Sequence, residues 1–216
     1  MDIILIGSGG CMRELAWQII EDNKINKKWK IIGYVDEAVP QNDFISIGDY
    51  KIPYLGNDEY LINLKKEANL ILSVGNSKLR KKLVEKYSIN PHLKYPNLIL
   101  SNTNVCEDLV LGKGCIIAMG SIISTNVKIG DFAFINTESL VCHDCNLGSF
   151  ITLSPRCQLA GAVLIGDNSE VGMNATIIQC INLGNNVIVG AGAIVIKNFE
   201  SNCTVVGVPA RKVEIK

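Results

Sequence analysis

Between Val105 and Val195 every sixth residue is Leu, Ile or Val, sixteen positions in unbroken succession. Those three residue types supply 31 of the 96 residues from 105 to 200, so chance gives such a run with a frequency on the order of 10⁻⁷, allowing for six registers. A period of six matches neither the roughly 3.6-residue turn of a helix nor the two-residue alternation of a strand. It belongs to a solenoid, whose repeats bury one shared core by stacking. Two positions before each aliphatic stands a mostly small residue, among them Ser121, Ala133, Ser139, Cys145, Cys157, Ser169 and Ala175. Strand alternation turns that residue and the aliphatic to the same inward face. Gly often follows the aliphatic, as at Gly112, Gly130, Gly148 and Gly166, and we read it as permissive backbone for a tight corner. Short flat strands joined by corners make a narrow prism.

The pattern resembles the hexapeptide repeat of left-handed parallel β-helices, in which three hexapeptides complete one triangular coil. Within it, Val171 to Ile196 carries no charge and is long enough to cross a bilayer. It keeps the six-residue register and contains Asn174, Gln179, Asn182, Asn185 and Asn186, so we assign it to the prism and expect no membrane contact.

The first hundred residues read differently. An apolar run, Asp2–Ile6, leads into Gly7-Ser8-Gly9-Gly10 and a helical stretch from Met12 to Ile20. A second strand, Lys30–Val35, ends at Asp36; a third, Asn69–Val74, ends in Gly75-Asn76 before a Lys/Arg-rich helix over Ser77–Tyr87. This is βαβ organisation, a small parallel sheet with ligands expected at the carboxyl ends of its strands. Pro91 and Pro96 flank the junction. The expected fold is therefore a small α/β Rossmann-like domain over 1–96 followed by a parallel β-helix over 97–216.

Charge excludes one class of function. Lys+Arg and Asp+Glu both number 21, and aromatics make up 6% of the chain, so neither bulk electrostatics nor stacking platforms favour nucleic acid. The opening MDIILIGSGG has no basic segment or cleavage site, which points to a cytoplasmic protein whose eight Cys are reduced.

Three motifs carry chemistry. Gly7 and Gly9 fit two positions of the dinucleotide fingerprint G-x-G-x-x-G, but Met12 stands at the last, so NAD is not expected. Two readings of that turn stay open: a phosphate or ribose site at a helix N-terminus with Asp36 or Glu37 at the next strand end, or a tight turn only. Cys142-His143-Asp144-Cys145 has C-x-x-C spacing, yet Cys145 falls on the inward small position and reads as packing. With His92 outside the prism, three His cannot gather around a zinc within one chain, so no metal is expected. His143 itself sits at a coil corner and faces outward, either incidental or a general base beside Asp144. One coil later comes Gly161, stacked at about 4.8 Å, where a glycine lets a backbone N–H approach a reacting carbonyl.

The Gly-rich turn, Ser73-Val74-Gly75-Asn76-Ser77-Lys78-Leu79-Arg80, then Ile135-Asn136-Thr137, His143-Asp144-Cys145, Leu159-Ala160-Gly161 and Val206-Gly207-Val208-Pro209-Ala210-Arg211 occur in this order. Together they resemble bacterial sugar acetyltransferases that join a Rossmann-like domain to a left-handed β-helix. That group holds the UDP-amino-sugar N-acetyltransferases of bacillosamine synthesis and the sialic acid O-acetyltransferases. The resemblance implies an acetyl-CoA-dependent transferase of bacterial surface glycan synthesis. His143 would be the general base, Asp144 would raise its basicity, and the Gly161 backbone would hold the oxyanion. Acetyl-CoA would pass Thr152, Gly161, Met173 and Ala191 in a groove between two prisms of a homotrimer. Gly9, Gly10, Cys11, Asp36, Glu37, Gly75 and Lys78 would hold the nucleotide-sugar. The acceptor favoured is the amine of a UDP-linked 4-amino-4,6-dideoxy sugar; alternatives are O-acetylation of sialic acid and a non-catalytic trimeric scaffold binding nucleotide-sugar. Two departures stand out: some members carry a second His where this chain has Thr152, and many carry Glu where it has Cys142. Arg211 and Lys212 read either as donors to CoA phosphates or as a solvated tail.

Overall fold

The structure is a computed structural model and describes residues 1–214. The N-terminal half is built on β1 (Asp2–Ile6), whose apolar residues are buried on both faces, as a central parallel strand requires. α1 (Gly10–Asn26), β2 (Lys30–Val35), β3 (Phe44–Ile47), β4 (Tyr50–Gly56), α2 (Asp58–Ile62), β5 (Ala68–Ile71), α3 (Ser77–Tyr87) and β6 (Leu93–Lys94) follow. The sheet order is β3-β4-β2-β1-β5-β6, parallel except for the β3–β4 hairpin. β2 and α3 match the sequence expectation in extent. α1 is longer at both ends than the expected Met12–Ile20, and β5 begins and ends earlier than Asn69–Val74. The β3–β4 hairpin and α2 were not foreseen, because their apolar residues are too few and too scattered to show a period.

From Leu98 the chain winds into two-residue strands on three faces. The first face begins at Leu98–Ile99 and continues through Ile116–Ile117, Phe134–Ile135, Thr152–Leu153, Glu170–Val171 and Ile188–Val189 to the antiparallel pair Thr204–Val206 and Arg211–Val213. The second face runs from Asn104–Val105 to Ile194–Val195, and the third from Val110–Leu111 to Asn182–Leu183. Strands pair in parallel with the coil 18 residues away, so Ile123 lies beside Val141 and Val141 beside Leu159. The repeat thus starts one step before Val105, at Ile99. The inward small residues Ser121, Ala133, Ser139, Cys145, Cys157, Ser169 and Ala175 are all buried among the aliphatics. Buried thiols point at backbone carbonyls, Cys145 at Ala160 and Cys157 at Gly172. Burial pushes the Cys157 thiol up to about 12. These cysteines fill space. Val171 to Ile196 forms part of the last coils, and no helix of the described residues is long and apolar enough to cross a membrane.

The glycine after each aliphatic has a different cause from the one expected. Gly130 does not occupy the left-handed region; a Cβ there would lie 2.6 Å from the Ser149 nitrogen of the next coil. Close stacking of coils, not corner dihedrals, demands the glycine. The left-handed residue comes two positions later, as at Phe132, Phe150 and Asn168, all with φ between 56 and 58°.

The two halves share one core. Ile3, Leu5, Leu15 and Ile19 pack with Leu98, Ile116, Ala118 and Phe134 of the first face. Buried polar groups lock the seam: Gln18 accepts from the Met119 amide at 3.0 Å, and Asp22 accepts from the Ser101 amide at 2.7 Å.

Candidate active site

Two structures of different kinds carry the functional residues. In the N-terminal half, β1, β2 and β5 end together beside the N-terminus of α1. Gly7, with φ 103°, turns the chain there in a conformation that glycine accommodates. The result is a cavity of about 390 Å³ lined by Gly9, Gly10, Cys11, Asp36, Glu37 and Gly75, with Asp58, Ser73, Leu79, Leu83 and Tyr87 completing its walls. Its size falls in the range of small-molecule sites, and the first-turn amides of α1 offer an anion the positive end of a helix. Burial, with Glu14 adding to it, pushes the Cys11 thiol up to about 11.

An ion network closes one side of this cavity. Lys86 bonds Glu37 at 2.7 Å and also Asp58, while the Tyr87 hydroxyl donates to the other Asp58 oxygen. Burial alone raises the Asp58 carboxyl, but the bonds from Lys86 and Tyr87 outweigh it and hold the group below the usual carboxylate range. Lys86 thereby orients Glu37 at the cavity wall.

Lys78 is not part of this cavity. Leu79, Leu83 and Tyr87, spaced four apart, occupy the face of α3 that lines it. Lys78, one residue out of phase, lines a separate cleft with Asn186, Ile188, Thr204 and Lys212 at the far end of the first face. Thr152 lies at the seam between the two halves. It is buried, its hydroxyl donates to the Gly75 carbonyl at 2.7 Å and accepts from Arg80 Nη2 at 3.0 Å. Its one donor is committed within the chain.

In the sequence Arg80 stands within a motif and a Lys/Arg-rich helix and carries no assigned role. It is 1% exposed. Its guanidinium donates to the carbonyls of Val74 and Gly75 at the cavity wall and to those of Phe132, Phe150 and Ile151 on the prism. Burial pulls it down to about 10, still charged at neutral pH, with Glu170 opposing that pull. Glu170 also caps α3, accepting from the Ser77 amide and hydroxyl, both at 2.7 Å. The only available signal was phase, since Ser77 and Arg80 lie three apart on one helix face.

On the prism, His143 and Gly161 sit on the edge between the second and third faces. His143 Nδ1 lies 2.7 Å from Asp144 Oδ2. An ionised carboxylate only accepts, so Nδ1 carries the proton, and in the neutral imidazole Nε2 keeps a lone pair. The bond from His143, and a second from Asn126, hold the Asp144 carboxyl below its ordinary value. A Cβ on Gly161 would stand 2.4 Å from His143 Cε1 and 2.6 Å from Nε2, so the imidazole lies against a position that only glycine leaves open. The Gly161 amide donates to no protein acceptor among the described residues, whereas Ala160 and Ala162 donate to Ile177 and His143.

Met173 and Ala191 do stack in one column: the Gly192 amide donates to the Met173 carbonyl at 2.8 Å, and both residues are exposed. That column lies on the edge between the first and second faces. Within one chain the second face separates it from His143. No group of three or more His, Cys, Asp or Glu suited to a metal occurs among the described residues.

A parallel β-helix with an outward His–Asp pair beside an open glycine, joined to a nucleotide-sized cavity, defines a class of acyl-transfer enzyme. The family described as the PglD N-terminal domain matches residues 2–87. GDP-perosamine N-acetyltransferase of Escherichia coli O157:H7 is 32% identical over 186 residues, covering 84% of this chain and 72% of that protein. The crystal structure of PerB from Caulobacter crescentus with CoA and GDP-perosamine matches with a TM-score of 0.85 at 30% identity, covering 99% of this chain and 98% of that one. The acetyltransferase domain of PglB from Neisseria gonorrhoeae, solved with acetyl coenzyme A, matches with a TM-score of 0.85 at 26% identity and 98% coverage of both chains. The chain belongs to the bacterial sugar acetyltransferases that use acetyl-CoA, and its prism is their left-handed β-helix.

Proposed function

We propose that this protein transfers the acetyl group of acetyl-CoA to the amine of a nucleotide-linked amino-sugar, with His143 as general base. The observation that carries the reading is the placement of His143 Nε2 against Gly161. Nε2 takes a proton from the sugar amine as its nitrogen attacks the thioester carbonyl. The Gly161 N–H receives the developing oxyanion. Collapse of the tetrahedral intermediate expels the CoA thiolate, which recovers the proton from the imidazolium. Asp144 keeps Nδ1 protonated and stabilises that cation.

The nucleotide sits in the cavity at Gly9, Gly10, Cys11, Asp36, Glu37 and Gly75, with its phosphates toward the start of α1. The motif phrasing favours a UDP-linked sugar. The relative that matches over most of the chain favours a GDP-linked one, and we place GDP first and UDP second. Acetyl-CoA runs along the Met173–Ala191 column of one chain and meets His143 and Gly161 of a neighbour. Ile122 and Ile194, exposed on the second face between these two edges, fit burial about the axis of a homotrimer. Removal of a reactive amine by acetylation suits a precursor of a bacterial surface glycan.

Thiol release from acetyl-CoA, followed with GDP-perosamine, UDP- and dTDP-linked amino-sugars and sialic acid, tests the reading. Turnover with one nucleotide amino-sugar is expected, and His143→Ala lowers it by ~10²–10⁴. Turnover with sialic acid alone, or an unimpaired His143→Ala variant, contradicts it.

A further inference from the structure

We infer that Asn126 is a positioning residue that holds the Asp144 carboxylate from the neighbouring coil and so fixes the orientation and tautomer of His143. The inference rests on reading His143 as the base. Asn126 Nδ2 donates to Asp144 Oδ1 at 2.6 Å, and Asp144 Oδ2 faces His143 Nδ1 at 2.7 Å. Both oxygens of one carboxylate are thereby engaged, one by each neighbour. The side chain of Asp144 is half exposed. With His143 as its sole partner it would sample other rotamers in water, and each departure would release Nδ1 from its acceptor.

Asn126 is itself held. Its amide donates to Asp108 Oδ2 at 2.9 Å, and the neighbouring Thr125 hydroxyl donates to the same oxygen at 2.6 Å. The Asp144 amide in turn donates to the Thr125 carbonyl at 3.1 Å. Asp108, Asn126 and Asp144 succeed one another at intervals of 18 residues along one edge, a polar ladder that ends at His143. The next positions in that column are Ala162 and Cys180. The ladder therefore stands wholly on one side of the imidazole and leaves the Gly161 side open to a substrate. Supporting groups of this kind, which fix the tautomer and orientation of a functional His, act through the residue they hold.

A purely structural cause for Asn126 exists and makes a different prediction. Its φ of 55° lies in the left-handed region, where Asn and then Asp are tolerated far better than Ala. Asn186 makes a similar inter-coil bond to Asn202 on another edge. A structural role ranks the variants Asn, Asp, Ala. A positioning role ranks them Asn, Ala, Asp, because Asn126→Asp sets a second carboxylate against Asp144 and removes the donor. Asn126→Gly removes the side chain without backbone strain.

Steady-state thiol release with acetyl-CoA and the amino-sugar nucleotide accepted in the panel above separates the two, measured beside thermal midpoints. For Asn126→Gly and Asn126→Ala the expected loss in kcat is about tenfold, with KM for both substrates within about twofold of wild type. Asn126→Asp falls further despite the higher thermal midpoint of the two left-handed-strained variants. A substrate-independent readout is ¹⁵N NMR of the imidazoles. The chain has two His, and His143→Ala assigns the resonances. The His143 Nδ1–H tautomer dominates in wild type and loses that dominance in Asn126→Gly. Asn126→Asp matching or exceeding Asn126→Ala in kcat, or an unchanged tautomer, overturns the inference. His143→Ala with wild-type turnover removes the base and the inference together; an impaired His143→Ala beside unimpaired Asn126 variants removes the inference alone.

Discussion

The prism and the N-terminal half build their functional surfaces by different means. On the prism, position follows from counting: residues 18 apart are neighbours, so Gly161 lies against His143 and Ala191 beneath Met173. In the N-terminal half, position depends on helix phase and on a few buried polar groups. Leu79 faces the cavity while Lys78 faces another cleft, and Arg80 between prism and cavity decides where the Gly75 wall stands. A periodic frame specifies its site through the chain's own arithmetic. An irregular one needs long-range clamps, and those clamps are where it breaks.

The sharpest break is expected at Arg80. Replacing it with Met takes a donor from five carbonyls and the Thr152 hydroxyl, leaving those of Val74, Phe132 and Phe150 with none while Gly75 and Ile151 keep one, and the loss in stability is on the order of 3–5 kcal/mol. Urea unfolding measures it, with the N-terminal half opening before the prism. Next comes Gly161→Ala, whose Cβ displaces the imidazole. Turnover falls by about 10²-fold while the thermal midpoint hardly moves, a contrast read by pairing kinetics with calorimetry. Gly130→Ala forces apart two coils where neither ligand is proposed to bind. It costs about 1–3 kcal/mol of stability and leaves kcat per folded molecule unchanged. Lys78→Ala is the mildest: affinity for the nucleotide-sugar, measured by calorimetry, stays within about twofold, as expected of an exposed lysine outside the cavity.

The same contrast explains what was legible in the sequence. Sixteen aliphatics in register announced the prism, and its 18-residue coil placed His143 beside Gly161 before any coordinates. The β1–α1–β2 unit was equally plain, because β1 is an unbroken apolar run followed by glycines. For Thr152 and Lys78 a motif supplies a position only; it does not reveal which neighbour claims a hydroxyl or which side of a helix a residue occupies. Arg80 and Glu170 carried no role in the sequence because the contacts that define them reach across the chain, to the Phe132 carbonyl 52 residues away and to Ser77 93 residues away. Asn126 carried no signal in the sequence, since its significance depends on the rotamer of Asp144, which no spacing encodes.

The central claim is that the catalytic edge of one chain serves the cofactor edge of another, since His143 and Met173 flank opposite sides of one face. Mixing two disabled chains tests it most directly. His143→Ala lacks the base, and Ala191→Trp fills the proposed acetyl-CoA column; each alone retains at most about 1% of wild-type turnover. Refolded together in equal amounts, they place an intact His143 edge against an intact Met173–Ala191 edge at some interfaces. Random assembly into trimers restores about a quarter of wild-type sites. Recovery near that level is the predicted result. Complete inactivity of the mixed trimers, with mixing verified by mass, would place both edges of the site within one chain and contradict the account.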